Sequence, residues 1–443
     1  MDSIVILFIT GLIGLFVGMA KKPLLSLGLS LAGLGTAALA AYYKGAYTSP
    51  LSNYANSIGT SASVIILLCA FVAFSLIAGF TLYRKETEHT SDYIALILFS
   101  LCGAIMICDP KDLFIFFLGL EILSIPIYVL VAIEKGSSLA SEAAVKYFFM
   151  GSFATALLLF GVALVYGATG TFVLAEMKAN LTMGIWQNPM AIVGSLFMLA
   201  GFVFKIGAVP FHFWGPDVYQ GSSNAVLMYM ASIVKIAGTL AFVSVFASVF
   251  ESSYFFWSDL ISAILVISLF YGYITASKQV SFKRLVAYSS IANAGILLLT
   301  ILSQVHYQLE LFLMAYGAAT IALVTINQLV NDEEDKISAW EGIAWKHPIL
   351  GVALVVALLS LAGIPPTAGF FGKFFLLTYA LPEAPITVIL ALIASVIGAF
   401  IYLRILLLAI KKPAHIEKMK LPIGQLVVLL STIFIGLVWF FVS

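Results

Sequence analysis

Charge is scarce in this chain: 10% of its 443 residues are Asp, Glu, Lys or Arg, against 62% hydrophobic residues and a mean hydropathy of +1.10. A soluble domain carries about 25% charged residues, so the composition excludes an ordinary soluble fold and specifies lipid as the solvent. Cysteine is sparse as well. Cys69, Cys102 and Cys108 all fall inside apolar runs and lack the spacing of metal ligands, so they read as small buried hydrophobes. The net charge of +1 is neutral on the question of nucleic acid, but the lack of any basic tract argues against such a partner. Long polar segments are missing too. The longest connections between apolar runs, 44–61 and 168–189, leave nowhere for a domain that binds a nucleotide or a flavin. The first apolar run has no basic start and its lysines follow it, which predicts a retained helix rather than a signal peptide.

What is abundant is apolar sequence long enough to cross about 30 Å of hydrocarbon. Fourteen such stretches lie near 3–20, 23–43, 62–83, 91–108, 113–133, 143–167, 190–214, 224–250, 258–277, 285–304, 308–330, 348–380, 385–410 and 422–442. An all-α polytopic membrane protein follows. With the amino terminus outside, fourteen basic residues fall in inner loops, among them Lys21, Lys22, Arg84, Lys85, Lys135, Lys283 and Arg284, and three in outer loops, Lys44, Lys111 and Lys178. The positive-inside rule therefore places both termini on the outer face of the membrane.

Five basic residues remain within or at the edge of spans: Lys146, Lys205, Lys235, Lys373 and Arg404. A lysine at the centre of a bilayer helix costs roughly 2.5–3.5 kcal/mol on insertion scales. Lys205, Lys235 and Lys373 are too deep to snorkel, whereas Arg404 is near an end. Glu121 is the one deep carboxylate, so structural ion pairing alone does not account for three lysines. The sequence also breaks two spans, in "FKIGAVPFHFWGPDVY" around Pro210 and in "LAGIPPTAGFFGKFF" around Pro365 and Pro366. Proline removes a backbone donor and clashes with the preceding turn, and the freed groups require protein or water. Lys205 and Lys373 are thus expected beside water-accessible breaks in helices seven and twelve.

The two breaks are about 155 residues apart, which suggests duplication of a five-helix unit. Five is odd, so the second copy enters from the opposite side, the pattern of transporters with midplane sites. The expected organisation is a three-helix segment (1–90), a first five-helix repeat (91–250), a second, inverted repeat (251–411) and a final helix (412–443). Glu142 and Lys146, at i and i+4, read equally as a surface ion pair or a proton-uptake relay. His212, after Pro210, reads equally as a bridge across a cavity or a histidine satisfied by hydrogen bonds. Asp217 reads as a cap or loop residue on the inner face, and His89, His306, His347 and His415 as solvated span-edge residues.

Five segments carry a family resemblance: "GLEILSIPIYVLVA", "SEAAVKYFFMGSFATALLLFGVALVYGATGTF", "FKIGAVPFHFWGPDVYQG", "KRLVAYSSIANAGILLL" and "LSLAGIPPTAGFFGKFFLL". Together, over about residues 90–410, they closely resemble the antiporter-like membrane subunits of respiratory complex I, with the subunit N branch nearest in pattern. The subunit M pattern has a glutamate where this chain has Lys373. The resemblance implies proton translocation coupled to electron transfer from NADH to quinone. Glu121 and Lys205 would form the central pair of a first half-channel, Lys235 the connecting lysine and Lys373 the terminal carrier. The family commonly places histidine where this chain has Asn293, and asparagine does not titrate near neutrality; that favours water between Lys235 and Lys373. The resemblance further implies no cofactor in this chain, with FMN and iron–sulfur clusters in partner subunits. The partners would be adjacent antiporter-like and small membrane subunits, with lipid, protons and water as the other contacts. A subunit of a multi-subunit sodium/proton antiporter shares these helices and is the competing reading.

Overall fold

The computed structural model describes residues 2–43, 60–83, 89–134, 136–182, 188–247, 249–251, 254–303, 309–332, 334–413 and 418–437. Lys44, Arg84, Lys85, Lys135, His306 and His415 lie outside the described residues. Among the described residues the chain is helical, with two isolated bridges between loops, Asp112 with Val173 and Ser281 with Lys336, and no strand. Eleven of the helices are long and apolar enough to cross a membrane. Shorter apolar helices, Asp2–Gly18, Pro348–Ala362, Ala368–Ala380 and Ile423–Leu437, occupy other apolar stretches. Helices are the natural outcome here, because lipid offers no partner for backbone N–H and C=O groups and each helix satisfies its own.

The chain divides into two compact units. The first comprises Met1–Leu76, Phe80–Ile206 and Ile233–Ser258. Its helices approach closely where both present small residues, the usual device of membrane packing. A Cβ added at Gly103 would stand 2.3 Å from the Leu123 nitrogen, which presses Thr90–Cys108 against Leu113–Val131. Gly161 and Gly194 do the same for Ser138–Thr169 and Pro189–Ile206, with a Gly161 Cβ 2.6 Å from the Gly194 oxygen. Asp112 caps Leu113–Val131, accepting from the amides of Phe114 at 2.6 Å and Ile115 at 3.3 Å. Three rings then pin the helices together: Phe116 stacks on Phe202 at 5.2 Å, and Phe202 on Phe242 at 4.9 Å.

The second unit comprises Ile77–Gly79, Gly207–Ser232 and Asp259–Ser443. Its centre is the Phe282–Ser303 helix, buried at every position except Lys283 and Arg284. Gly272 admits this helix closely, since a Cβ there would meet the Ala292 nitrogen at 2.6 Å. At one end of it, Arg284 pairs with Asp217 at 3.0 Å and also donates to Gln220 Oε1 at 3.0 Å, while Lys283 Nζ donates to the Ser222 carbonyl at 2.7 Å. Asp217, read from sequence as a cap or loop residue, is in the first turn of Trp214–Gly221 and anchors that short helix to the central one.

Candidate functional site

In the first unit two helices bring the first candidate side chains together. Glu121, Ser124 and Tyr128 share one face of Leu113–Val131 at i, i+3 and i+7. Lys205 comes from the last turn of Pro189–Ile206. Its ammonium donates to Ser124 Oγ at 2.6 Å, and the Glu121 carboxylate acts on it across a longer gap, through Coulombic attraction. Ser124 in turn donates to the Leu120 carbonyl at 2.5 Å, and the Tyr128 side chain, one helical turn on, lines the same cleft as Ser124 and Lys205. Gly151 and Thr155 also line that cleft. Tyr128 is fixed by Tyr147, edge-on at 4.8 Å, one residue from Lys146. Lys146 and Glu142 form an ion pair of 2.7 Å with both side chains well exposed.

Lys235 is buried, 4% exposed, at the start of Lys235–Phe242. The turn before it, Met230–Val234, is π-helical, and a second π-helical turn, Val243–Ala247, follows. Such turns widen the helix and re-aim the side chains beside them. One turn past Lys235, Gly238 leaves room for the stem of Lys205: a Cβ there would be 3.4 Å from Lys205 Cγ. The helix of Lys235 and the side chain of Lys205 thus meet directly within this unit.

Lys373 belongs to the second unit and is 5% exposed. Pro348–Ala362 ends at Gly363, whose φ of 74° is left-handed and suits glycine. Any helix end leaves carbonyls without an intrahelical donor. Lys373 Nζ fills that role, donating to the Leu361 oxygen at 3.0 Å and the Ala362 oxygen at 3.5 Å. Gly363 is also what admits it, since a Cβ there would stand 3.3 Å from Nζ. The buried ammonium is therefore held by the negative end of a helix dipole.

The remaining candidates are in distinct settings. His212 is buried, packed against Phe213 at 4.4 Å and edge-on to Tyr271 at 4.6 Å. Asn293 donates from Nδ2 to the Ser289 carbonyl at 2.9 Å and to the Tyr402 hydroxyl at 3.3 Å. Among the described residues no group of three His, Cys, Asp or Glu side chains gathers to hold a metal.

Sequence reasoning passed over Ser124, Tyr128, Ser289 and Tyr402. The first two carried a usable signal, their helical spacing from Glu121. The pairing of Ser289 with Tyr402, 113 residues apart, carried none.

Residues 110–398 match the family described as NADH:quinone oxidoreductase/Mrp antiporter, TM. The chain is 36% identical over 364 residues to NADH-quinone oxidoreductase subunit N of Trichlorobacter lovleyi, covering 80% of this chain and 74% of that one. With subunit N of Cytophaga hutchinsonii the identity is 32% over 415 residues, covering 91% and 89%. Among solved structures, a chain of respiratory complex I from Thermus thermophilus with bound aureothin superposes with a TM-score of 0.84 at 29% identity, covering 98% of this chain and 96% of that one. The chain belongs to the family of membrane subunits shared by NADH:quinone oxidoreductase and the Mrp antiporters, and within it is similar to subunit N of the oxidoreductase.

Proposed function

We propose that this chain translocates protons within a bacterial NADH:quinone oxidoreductase, with Glu121, Lys205, Lys235 and Lys373 as its proton-handling groups. The observation that carries the reading is the setting of Lys373: an ammonium buried at the end of the Pro348–Ala362 helix and held by its carbonyls, with no carboxylate among the described residues at hydrogen-bonding distance. A purely structural lysine gains most from a charged partner, whereas a carrier must bind and release its proton without large penalty in either state.

In this reading Lys205 shifts between Ser124 and the field of Glu121. The carboxylate favours the charged amine when near, and its withdrawal favours release. Ser124 and Tyr128 lead from Lys205 toward Lys146 and Glu142, which makes that exposed ion pair a candidate uptake point. Lys235 links onward along its own helix; His212 and Asn293 are reserved for supporting roles. The fourteen spans, the inverted five-helix repeats at 91–250 and 251–411, the breaks in spans seven and twelve and the periplasmic termini belong to this proposal. So do FMN and iron–sulfur clusters in partner subunits, and adjacent antiporter-like and small membrane subunits as neighbours. The similarity to subunit N relatives supports this reading over the sodium/proton antiporter.

The test has two arms. After mild detergent extraction the chain is expected to co-purify with flavin- and iron–sulfur-bearing proteins; reproducible isolation with antiporter subunits alone would sink the assignment. In the reconstituted complex, Lys373→Met is expected to assemble and to lower proton translocation per NADH oxidised. Unchanged pumping would remove Lys373 from the path.

A further inference from the structure

The second unit holds a cavity along the central Phe282–Ser303 helix, with Phe282, Ser289, Tyr316, Thr320, Leu361 and Tyr402 among its lining. It has room for a water-sized molecule, and its hydroxyls supply the polar contacts that a buried water needs. Ser289 Oγ and the Tyr402 hydroxyl hydrogen-bond to each other across it. Asn293 fixes both, donating to the Tyr402 hydroxyl at 3.3 Å and to Ser289 Oγ at 3.4 Å. Tyr316 donates to Ser290 Oγ at 3.2 Å on the same stretch of helix.

Two features connect this cluster to Lys373. Leu361 lines the cavity and is also the residue whose carbonyl accepts from Lys373 Nζ at 3.0 Å. Three buried polar atoms of the surrounding helices, Asn293 Oδ1, Tyr273 Oη and Ser360 Oγ, have no protein partner. Ser360 immediately precedes Leu361, and the Tyr273 ring packs against Gly398, one helical turn before Tyr402, where a Cβ would stand 2.6 Å from it. Buried polar atoms left without protein partners are the usual mark of a water site.

We propose that the Ser289–Tyr402 hydroxyl pair, together with a water in this cavity, is the proton relay that serves Lys373. Asn293 acts as a positioning residue that aligns the two hydroxyls and carries no proton itself. The transfer balances atom by atom. A proton arriving on the Tyr402 oxygen releases the hydroxyl hydrogen to Ser289 Oγ. Ser289 passes its own hydrogen to the water, and the water passes one to the neutral amine of Lys373. Each oxygen gains one hydrogen and loses one, so the net event is the movement of a single proton, and release from Lys373 runs the same steps backward.

The inference rests on the reading of Lys373 as a proton carrier, and the experiment separates the two. In the complete complex reconstituted into vesicles, Tyr402→Phe and Ser289→Ala are expected to assemble and to lower proton translocation several-fold. Ser289→Thr keeps the hydroxyl and is expected to retain most of it. The solvent deuterium isotope effect on translocation is expected to change in Ser289→Ala and not in Ser289→Thr, a readout that a loss of packing would not move. If Tyr402→Phe fails to assemble, the Ser289 pair decides the question alone. Normal pumping in Ser289→Ala beside a defective Lys373→Met overturns the relay only. So does an equal loss in Ser289→Thr and Ser289→Ala. Normal pumping in Lys373→Met overturns the reading on which the relay stands.

Discussion

At the scale of single residues, the polar groups that matter are neutral ones placed beside charged ones. Ser124 accepts from Lys205 while donating to its own helix, so its hydroxyl is oriented by the backbone and presents a lone pair to the ammonium. Ser124→Ala removes that acceptor and leaves a partly buried cation with one polar contact fewer, at a cost of about 1.5–3 kcal/mol for a hydrogen bond to a charged group. Proton translocation in reconstituted vesicles is expected to fall at least several-fold, and Ser124→Thr to restore most of it; equal pumping in all three proteins would contradict the role. Asn293→His places an imidazole within reach of Ser289 and Tyr402, and is expected to assemble and support turnover, as judged by the yield of intact complex. The lysines were legible in the sequence because charge stands out in apolar runs. Ser124, Ser289 and Tyr402 were not, because serine and tyrosine are ordinary in such helices and their meaning depends on partners far along the chain.

At the scale of elements, the prolines drew attention to two stretches, but glycine ends the helices there. Pro189–Ile206 and Pro348–Ala362 each stop just before a left-handed glycine, Gly207 with φ 71° and Gly363 with φ 74°. Pro210 and Pro365 come after the helix end in each case, where proline keeps the helix from resuming. The π-helical turns flanking Lys235–Phe242 had no compositional signature and were invisible in the sequence. The glycines of "AGFFGKFF" have a packing reason that the sequence hid. A Cβ at Gly372 would stand 2.8 Å from the Phe312 Cα, and one at Gly369 would stand 2.1 Å from the Ser360 oxygen. Backbone contacts this close cannot relax by a rotamer change. Gly372→Ala is expected to destabilise the folded complex by about 1–3 kcal/mol, the usual range for overpacking. Gly35→Ala, where an added Cβ meets nothing within 4 Å, serves as the control. Thermal unfolding of the solubilised complex would show the difference, and equal transitions for the two variants would rule it out.

At the scale of the whole molecule, composition alone reached the membrane and the helical class, since a chain with 10% charged residues has no other economical solvent. What composition could not separate is which apolar surface meets lipid and which meets protein. Ser138–Thr169 exposes Phe148, Phe149, Phe153 and Phe160, each at least half exposed. In lipid such a face needs no partner, because hydrocarbon and phenylalanine are equally apolar. Hydropathy is identical in the two cases.

The carbonyl grip on Lys373 has an electrical consequence. With a carboxylate partner the site would be a neutral ion pair when loaded and a lone anion when empty. Here loading creates a lone cation and unloading leaves a neutral amine against neutral carbonyls. Occupancy is then a movement of net charge, and a unit charge crossing the whole membrane field exchanges about 2.3 kcal/mol per 100 mV. Whatever fraction of that field lies between Lys373 and water, the energised membrane acts on this amine directly, as a gauge reading voltage as well as acidity. Dissipating the voltage with a potassium ionophore, at constant pH on both sides, is expected to speed NADH oxidation more in the wild-type complex than in Lys373→Met. Identical acceleration in both would mean that the voltage is felt elsewhere.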